Sequence, residues 1–154
     1  MPSNQPKPNT KIKSPKNAKK TVFVMLSGGV DSSVAACKLV LEGYNVVGIF
    51  MKCWSLEMLH LMGLSEDLYG CFWEDDARDA RLIAEKLAIP FEIWDFQTEY
   101  KQKVIDYMIL EYSLGRTPNP DVMCNGFIKF GIFFETAMER GADFVASGHY
   151  ARIG

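Results

Sequence analysis

The sequence Ser-Gly-Gly-Val-Asp-Ser-Ser at residues 27–33 constrains the fold of this chain more than any other stretch. An apolar run precedes it at residues 22–26, which predicts a buried strand, and an alanine-rich segment follows at residues 34–41, which predicts a helix ending at Gly43. A tight glycine turn of this kind exposes backbone N–H groups at the positive end of a helix, where phosphate is the usual ligand. The stretch therefore predicts a phosphate-binding turn.

The residue types in the turn suit a nucleotide. Glycines have no Cβ, so backbone and ligand can approach closely, and the serines add hydroxyl donors. Asp31 suits a metal-bound phosphate or a helix cap. The alternative is a plain strand–helix turn with a serine cap, which needs fewer glycines and serines. The stretch is not a Walker loop, because the Gly-Lys-Ser/Thr ending is missing, and it lacks the G-x-G-x-x-G dinucleotide fingerprint. The predicted phosphate-binding residues are Ser27, Gly28, Gly29, Asp31, Ser32 and Ser33.

Short apolar strands alternate with amphipathic helices along the rest of the chain. Strands are predicted at residues 45–51, 91–96 and 143–146, and helices at 74–88, 98–112 and 126–140. This alternation predicts an α/β fold, an open parallel Rossmann-like sheet with helices on both faces. Because ligands bind beyond the carboxyl ends of such strands, we expect the glycine turn, Met51 and residues 147–149 on one edge.

The spacing of apolar residues predicts which helix faces pack inward. In the helix at 98–112 the predicted inward residues are Val104, Ile105, Met108, Ile109 and Tyr112. In the helix at 126–140 they are Phe127, Phe130, Phe134, Ala137 and Met138.

A second set of reactive residues precedes that last helix. Cys124 lies just before its predicted start, where the helix dipole can lower the pKa of a thiol. Asp121 lies three residues earlier and can relay a proton. The alternative is that Asp121 or Asn125 caps the helix and Cys124 packs beneath it.

No metal-ligand cluster is predicted, because His60 has no second His or paired Cys at the spacing of metal ligands.

Length and composition bound the class of protein. The 154 residues suit one domain, and no apolar run is long enough to span a membrane. The polar, proline-rich start does not resemble a secretory signal, which predicts a cytoplasmic protein. Residues 1–20 contain six lysines and no acid, leaving a net charge of −8 for residues 21–154, and predict a disordered tail. The thiols Cys37, Cys53, Cys71 and Cys124 include no C-x-x-C pair; Cys37 is predicted to face the core.

Six motifs occur in a distinctive order, at residues 27–33, 48–54, 115–125, 128–130, 141–143 and 147–150. Together they resemble the N-terminal PP-loop domain of bacterial tRNA-specific 2-thiouridylases, over about residues 21–154. The resemblance implies that ATP with Mg2+ adenylates the 2-oxygen of the wobble uridine of tRNA. Sulfur transfer then gives 2-thiouridine, with a sulfur-relay protein as donor.

The resemblance also implies roles for individual residues. Cys124 matches the cysteine that attacks a persulfide, and Asp121 matches the acid–base residue. Asn119, Pro120 and Asp121 match the segment that contacts the target base, and His149 matches a tRNA contact. The matching ATP contacts outside the turn are Met51 and Gly148.

Some family features are missing or changed. The persulfide cysteine, the central tRNA-binding part and the C-terminal barrel lie beyond residue 154, so we expect a truncated enzyme whose sheet is incomplete at the C-terminus. Cys53 stands where the family usually has Asn, and we expect it to be structural. Two alternatives stay open: another PP-loop adenylating ligase or sulfur transferase, and a nucleotide-binding module that does not catalyse.

Overall fold

The computed structural model describes residues 20–61, 63 and 72–151. Four strands form one parallel sheet in the order β3-β2-β1-β4. They are β1 (Thr21–Met25), β2 (Asn45–Lys52), β3 (Phe91–Asp95) and β4 (Phe144–Ala146). The strand order reverses between β1 and β4, because β2 and β3 extend to one side of β1 and β4 pairs on the other. This arrangement confirms the predicted open parallel sheet.

The helical segments lie within a few residues of prediction, with one exception. The helix predicted at residues 126–140 begins at Pro120, and its middle is π-helical, as is part of the helix before it. The segments are α1 (Val30–Leu41), α2 (Leu56–Leu61), α3 (Phe72–Leu87), α4 (Gln97–Tyr100), π1 (Lys101–Ile105), α5 (Asp106–Ser113), α6 (Pro120–Met123), π2 (Cys124–Ile132) and α7 (Phe133–Glu139). Among the described residues, no helix is long and apolar enough to cross a bilayer.

Strand β1 is central, and its alternating side chains enter two separate cores. Val22 and Val24 pack in one core with Ala80 of α3, and that core also includes part of α1. Phe23 and Met25 pack in the other, which includes residues from both π-helical segments. Helices therefore cover both faces of the sheet, as the alternation of elements predicted.

The predicted inward face of the last helix is wrong at its three phenylalanines. Phe127, Phe130 and Phe134 are each between 43% and 52% exposed, whereas Ile128 and Phe133 are fully buried. The buried pair is five residues apart because π2 bonds each residue to the fifth one along, as Phe133 N–H donates to Ile128 O. The prediction used α-helical spacing, which fails in a π-helical segment; Ala137, beyond it, is buried as predicted.

The helix containing π1 shows the same effect. Tyr100 and Ile105, again five residues apart, are buried. Val104 is buried as well, but Ile109 and Tyr112 are 44% and 61% exposed, so their predicted inward position is wrong. The change of helical pitch over Lys101–Ile105 shifts the buried face of the helix that follows. Ile109 and Tyr112 turn outward, whereas Met108 packs against the core as predicted.

Two further predictions concern the tail and the cysteines. Residues 1–19 of the predicted disordered tail, and Cys71, lie outside the described residues. Cys37 does not face the core: it is half-buried and lines a surface groove with Val34 of α1 and Ile83 of α3.

Candidate active site

A cavity of about 410 Å³ opens at the carboxyl ends of β1, β2 and β4. It lies where the strand order reverses, which is the usual ligand position in open α/β sheets, and its volume is within the range of small-molecule sites. Its lining residues come from the end of β1, the glycine turn and the start of α1, the end of β2, π2 and the segment after β4. They are Met25, Ser27, Gly29, Val30, Asp31, Ser32, Met51, Lys129, Ser147, Gly148, His149 and Tyr150.

The two glycines of the turn have different roles. Gly28 has φ +85°, and a Cβ there would lie 2.8 Å from the backbone O of Asp76, so only glycine fits. Gly29 has φ −77° and caps α1. A Cβ on Gly29 would meet only Ser27 Oγ, at 3.5 Å, among the described residues. Gly28 therefore shapes the turn, and Gly29 leaves space on its cavity side.

The serine hydroxyls hold the turn together. Ser27 N–H donates to Ser32 Oγ at 3.2 Å, and Ser32 Oγ–H donates to Gly29 O at 3.1 Å. Ser33 Oγ–H donates to the same carbonyl at 2.6 Å. No described side chain caps α1, so the N–H groups of its first turn are left for a ligand. Of the six predicted phosphate-binding residues, Gly28 and Ser33 line the groove beside α3 instead of the cavity.

Gly148 packs directly on the start of α1. A Cβ at this position would lie 2.6 Å from Ser32 N and 2.9 Å from the carbonyl carbon of Asp31. No real Cβ approaches a backbone atom so closely, so any other residue would push the segment after β4 away from the turn. Gly148 and Met51, both predicted to contact ATP, line the cavity.

Asp31 is the acidic side chain in the cavity lining among the described residues. Its Oδ1 accepts a 2.7 Å hydrogen bond from the hydroxyl of Tyr150, and this bond raises the pKa of Tyr150. The described part of the chain contains no cluster of three or more His, Cys, Asp or Glu that could hold a metal alone. One carboxylate nevertheless fits Mg2+, which is commonly held by one or two carboxylates together with phosphate oxygens.

His149 connects the cavity to the helix that carries Cys124. Its Nδ1 lies 2.6 Å from Ser147 Oγ, and its Nε2 lies 3.2 Å from Asn125 Oδ1 and 3.5 Å from Lys129 Nζ. Burial lowers the pKa of His149, and the positive charge of Lys129 lowers it further. The imidazole is therefore neutral at pH 7 and acts as a hydrogen-bonding group.

The predicted environment of Cys124 is wrong. The helix begins at Pro120, and Asn119 caps it by accepting from Val122 N–H at 3.2 Å. Cys124 therefore lies beyond the first turn, where the helix dipole has little effect. Burial raises the pKa of its thiol, Lys129 opposes that rise, and Asp121 adds to it.

The target-base segment and Cys124 do not line the cavity. Asn119, Pro120, Asp121 and Cys124 are absent from the described lining residues, although Lys129, on the same helix as Cys124, is among them. Asn119 also uses its side chain as the helix cap. The structure thus groups the two predicted sets as neighbours, joined by His149 and Lys129.

Cys53 follows β2 and is half-buried against the same core as Cys124. Burial raises the pKa of Cys53 to about 12, and the neighbouring Cys124 adds to the rise. The thiol is protonated at neutral pH and is a weak nucleophile. This environment supports a structural role for Cys53.

Lys129 and Tyr150 are two residues of the site for which the sequence motifs predicted no role. Lys129 belongs to one of the six motifs. It lies five residues after Cys124, and in an α-helix two residues at that spacing would not share a face, so its electrostatic effect on the thiol was not predicted. Tyr150 follows His149 directly, so only the edge rule for parallel strands could have brought it to the cavity.

Comparison with known proteins gives a consistent result. The family model described as the tRNA methyl transferase HUP domain matches residues 20–154. A tRNA-specific 2-thiouridylase MnmA from Flavobacterium johnsoniae is 52% identical over 133 residues, which cover 86% of this chain and 32% of that protein. The protein of the same name from Exiguobacterium sibiricum is 50% identical over 145 residues, covering 94% of this chain and 36% of that one. The chain spans about a third of the length of these curated relatives.

A solved structure supports the fold alone. The crystal structure of a predicted subunit of tRNA methyltransferase from Methanocaldococcus jannaschii aligns with a TM-score of 0.51 at 20% identity. The alignment covers 84% of this chain and 53% of that one.

Proposed function

The chain belongs to the tRNA methyl transferase HUP-domain family, and on that premise we propose that residues 21–154 form the ATP-binding part of a tRNA-uridine 2-sulfurtransferase. The proposed reaction is adenylation of the 2-oxygen of the wobble uridine, followed by replacement of that oxygen with sulfur. The partners are tRNA and a sulfur-relay donor protein in the cytoplasm. The names of the curated relatives support the substrate and the product.

The cavity at the β1/β4 reversal is the observation that carries the proposal. It combines an uncapped helix N-terminus, a glycine without a side chain on the cavity side and one carboxylate. Helix N-termini and glycine turns favour phosphate, and a single carboxylate suits a phosphate-bound Mg2+. ATP supplies the chemistry that makes the uridine oxygen a leaving group.

The residues of the chain have distinct tasks in this proposal. The first turn of α1, Ser27 and Ser32 bind phosphate, Asp31 holds Mg2+, and Met51 and Gly148 contact the nucleotide. The target base is contacted by Asn119, Pro120 and Asp121. Asp121 also relays a proton to or from the substrate. His149 contacts tRNA as a neutral hydrogen-bonding group.

Cys124 is the proposed nucleophile of the sulfur-transfer half. Its raised pKa means that the resting thiol is largely protonated at neutral pH. The reaction therefore needs a group that removes the proton or stabilises the thiolate. Asp121, three residues earlier on the helix, is suitable for the first of these tasks.

Release of pyrophosphate from ATP, with and without tRNA, tests the proposal. For the family enzyme extended beyond residue 154 we expect tRNA-dependent release and 2-thiouridine detectable by mass spectrometry of nucleosides. For residues 1–154 alone we expect ATP binding with little release. Release stimulated by a small-molecule acceptor, and not by tRNA, would indicate another adenylating ligase, and an absence of ATP binding would reject the proposal.

A further inference from the structure

Lys129 lies at the junction of the two halves of the site. Among the described residues that line the cavity, Lys129 is the lysine or arginine, and it shares that lining with residues of the glycine turn. Its Nζ lies 3.5 Å from His149 Nε2, and its side chain is partly buried. The same ammonium group acts electrostatically on the thiols of Cys124 and Cys53. The ammonium group of Lys129 therefore contributes positive charge to the cavity and lowers the pKa of both thiols.

The π-helical geometry explains how one residue reaches both places. In an α-helix, residues three or four apart share a face, and a residue five positions along points elsewhere. In π2 each backbone bond spans five residues, so Lys129 returns to the face of Cys124. π-helical turns within α-helices are rare, and many of those known lie at functional sites. Gly126 and Gly131 are also five apart, and a Cβ on Gly131 would lie 3.0 Å from Gly126 O.

We propose that Lys129 is a shared positioning residue, which neutralises a phosphate of the nucleotide in the cavity and stabilises the thiolate of Cys124 one π-helical turn away. The proposal rests on the proposed function, because it takes the anion to be a nucleotide phosphate and Cys124 to be the nucleophile. It makes nucleotide binding and thiol reactivity depend on a single charge. A phosphate that approaches Lys129 partly neutralises it and reduces its effect on the thiol.

Apart from Lys129, none of the described charged or titratable groups that interact with Cys124 favours its thiolate. Asp121, earlier on the same helix, raises its pKa. Cys53, from the end of β2, and Tyr100, from α4, are both coupled electrostatically to Cys124. Each of these groups is neutral or negative, so Lys129 is the cation that favours the thiolate among the described residues.

The first arm of the test is calorimetric titration of Mg-ATP into the wild-type chain, Lys129→Met and Lys129→Arg. We expect Lys129→Met to weaken binding by about tenfold or more, because a charge-assisted bond to phosphate is lost. Lys129→Arg retains the charge and should restore most of the affinity. Circular dichroism melting of each variant controls for folding.

The second arm is the rate of iodoacetamide labelling of Cys124 between pH 7 and 10, followed by peptide mass spectrometry without nucleotide. We expect Lys129→Met to move the labelling profile of Cys124 to higher pH, and Lys129→Arg to restore it. A change in both arms supports the proposal. An unchanged ATP affinity or an unchanged Cys124 profile in folded Lys129→Met would overturn it. If the wild-type chain itself fails to bind ATP, the proposed function fails instead.

Discussion

The glycine turn after β1 and the helix that carries Cys124 differ in how far their sequences specify their structures. At the turn, a positive φ at Gly28 and the crowding by Asp76 require glycine, so local residue types predict the conformation. At the helix, the start and the cap differ from prediction, and so does the inward face at its three phenylalanines. A backbone conformation that requires glycine can be recognised from the sequence. The pitch of a helix and the burial of its side chains cannot.

The largest expected effect is at the turn, with Gly28→Ala. A Cβ there combines a positive φ, which costs about 1–2 kcal/mol, with a 2.8 Å approach to backbone, and such overpacking costs about 1–3 kcal/mol more. We expect urea unfolding to show a loss of about 2–5 kcal/mol.

Gly115→Ala is the matched control for this loss. Gly115 has φ +71°, but a Cβ added there would have no described atom within 4 Å, so only the backbone strain of about 1–2 kcal/mol applies. Equal losses in the two variants would contradict the claim that close packing against α3 fixes the turn.

At the thiol core, Cys53 should make stability depend on alkaline pH. Its pKa is raised to about 12 in the folded chain, while the unfolded thiol loses its proton near pH 9. The folded state then binds more protons at Cys53 above pH 9, so the contribution of Cys53 to stability is constant below pH 9 and is lost as pH rises toward 12. One such group gives a slope of at most about 1.4 kcal/mol per pH unit.

Urea unfolding of the wild-type chain and Cys53→Ala between pH 8.5 and 10.5 measures this slope. We expect Cys53→Ala to reduce it. Cys37→Ala removes a half-buried thiol from the other side of the sheet and serves as control. An equal reduction of slope in the control would show that burial at Cys53 is not the cause.

Because the helix begins at Pro120, its N-cap residue Asn119 should make a smaller contribution to stability than Gly28 does. Replacing an N-cap asparagine with alanine costs about 1 kcal/mol, because the N–H of Val122 loses its partner. We expect Asn119→Ala to lower the midpoint of urea unfolding and Asn119→Ser to keep most of the stability. No loss in Asn119→Ala would favour a helix start near Gly126.

The smallest expected effect is a kinetic one at Asp121. Its charge raises the pKa of Cys124, so Asp121→Asn should increase the thiolate fraction at pH 8. Iodoacetamide labelling of Cys124 should become faster by a small factor, opposite in direction to Lys129→Met. Slower labelling in Asp121→Asn would contradict the assigned electrostatics.

The strands and the ligand edge could be predicted because apolar runs and parallel topology determine them. Met51 and Gly148 came to the cavity by this rule. The inward residues of the π-helical segments could not be predicted, since Ile128 and Phe133 share a face only when each bond spans five residues. The direction of the pKa shift of Cys124 could not be predicted either, because it depends mainly on burial in the folded chain. Regular periods were not always sufficient, because Cys37 lies on the regular helix α1 and still lines a surface groove.

Binding of Mg-ATP to the chain tests the central claim, that the cavity at the β1/β4 reversal is a nucleotide site. Calorimetric titration should show one site in the wild-type chain and clearly weaker binding in Asp31→Ala, with unchanged thermal unfolding. Glu85→Ala, which removes an exposed carboxylate from α3, should bind as the wild type does. Equal affinity in the wild-type chain and Asp31→Ala, or no binding to the wild-type chain, would contradict the account.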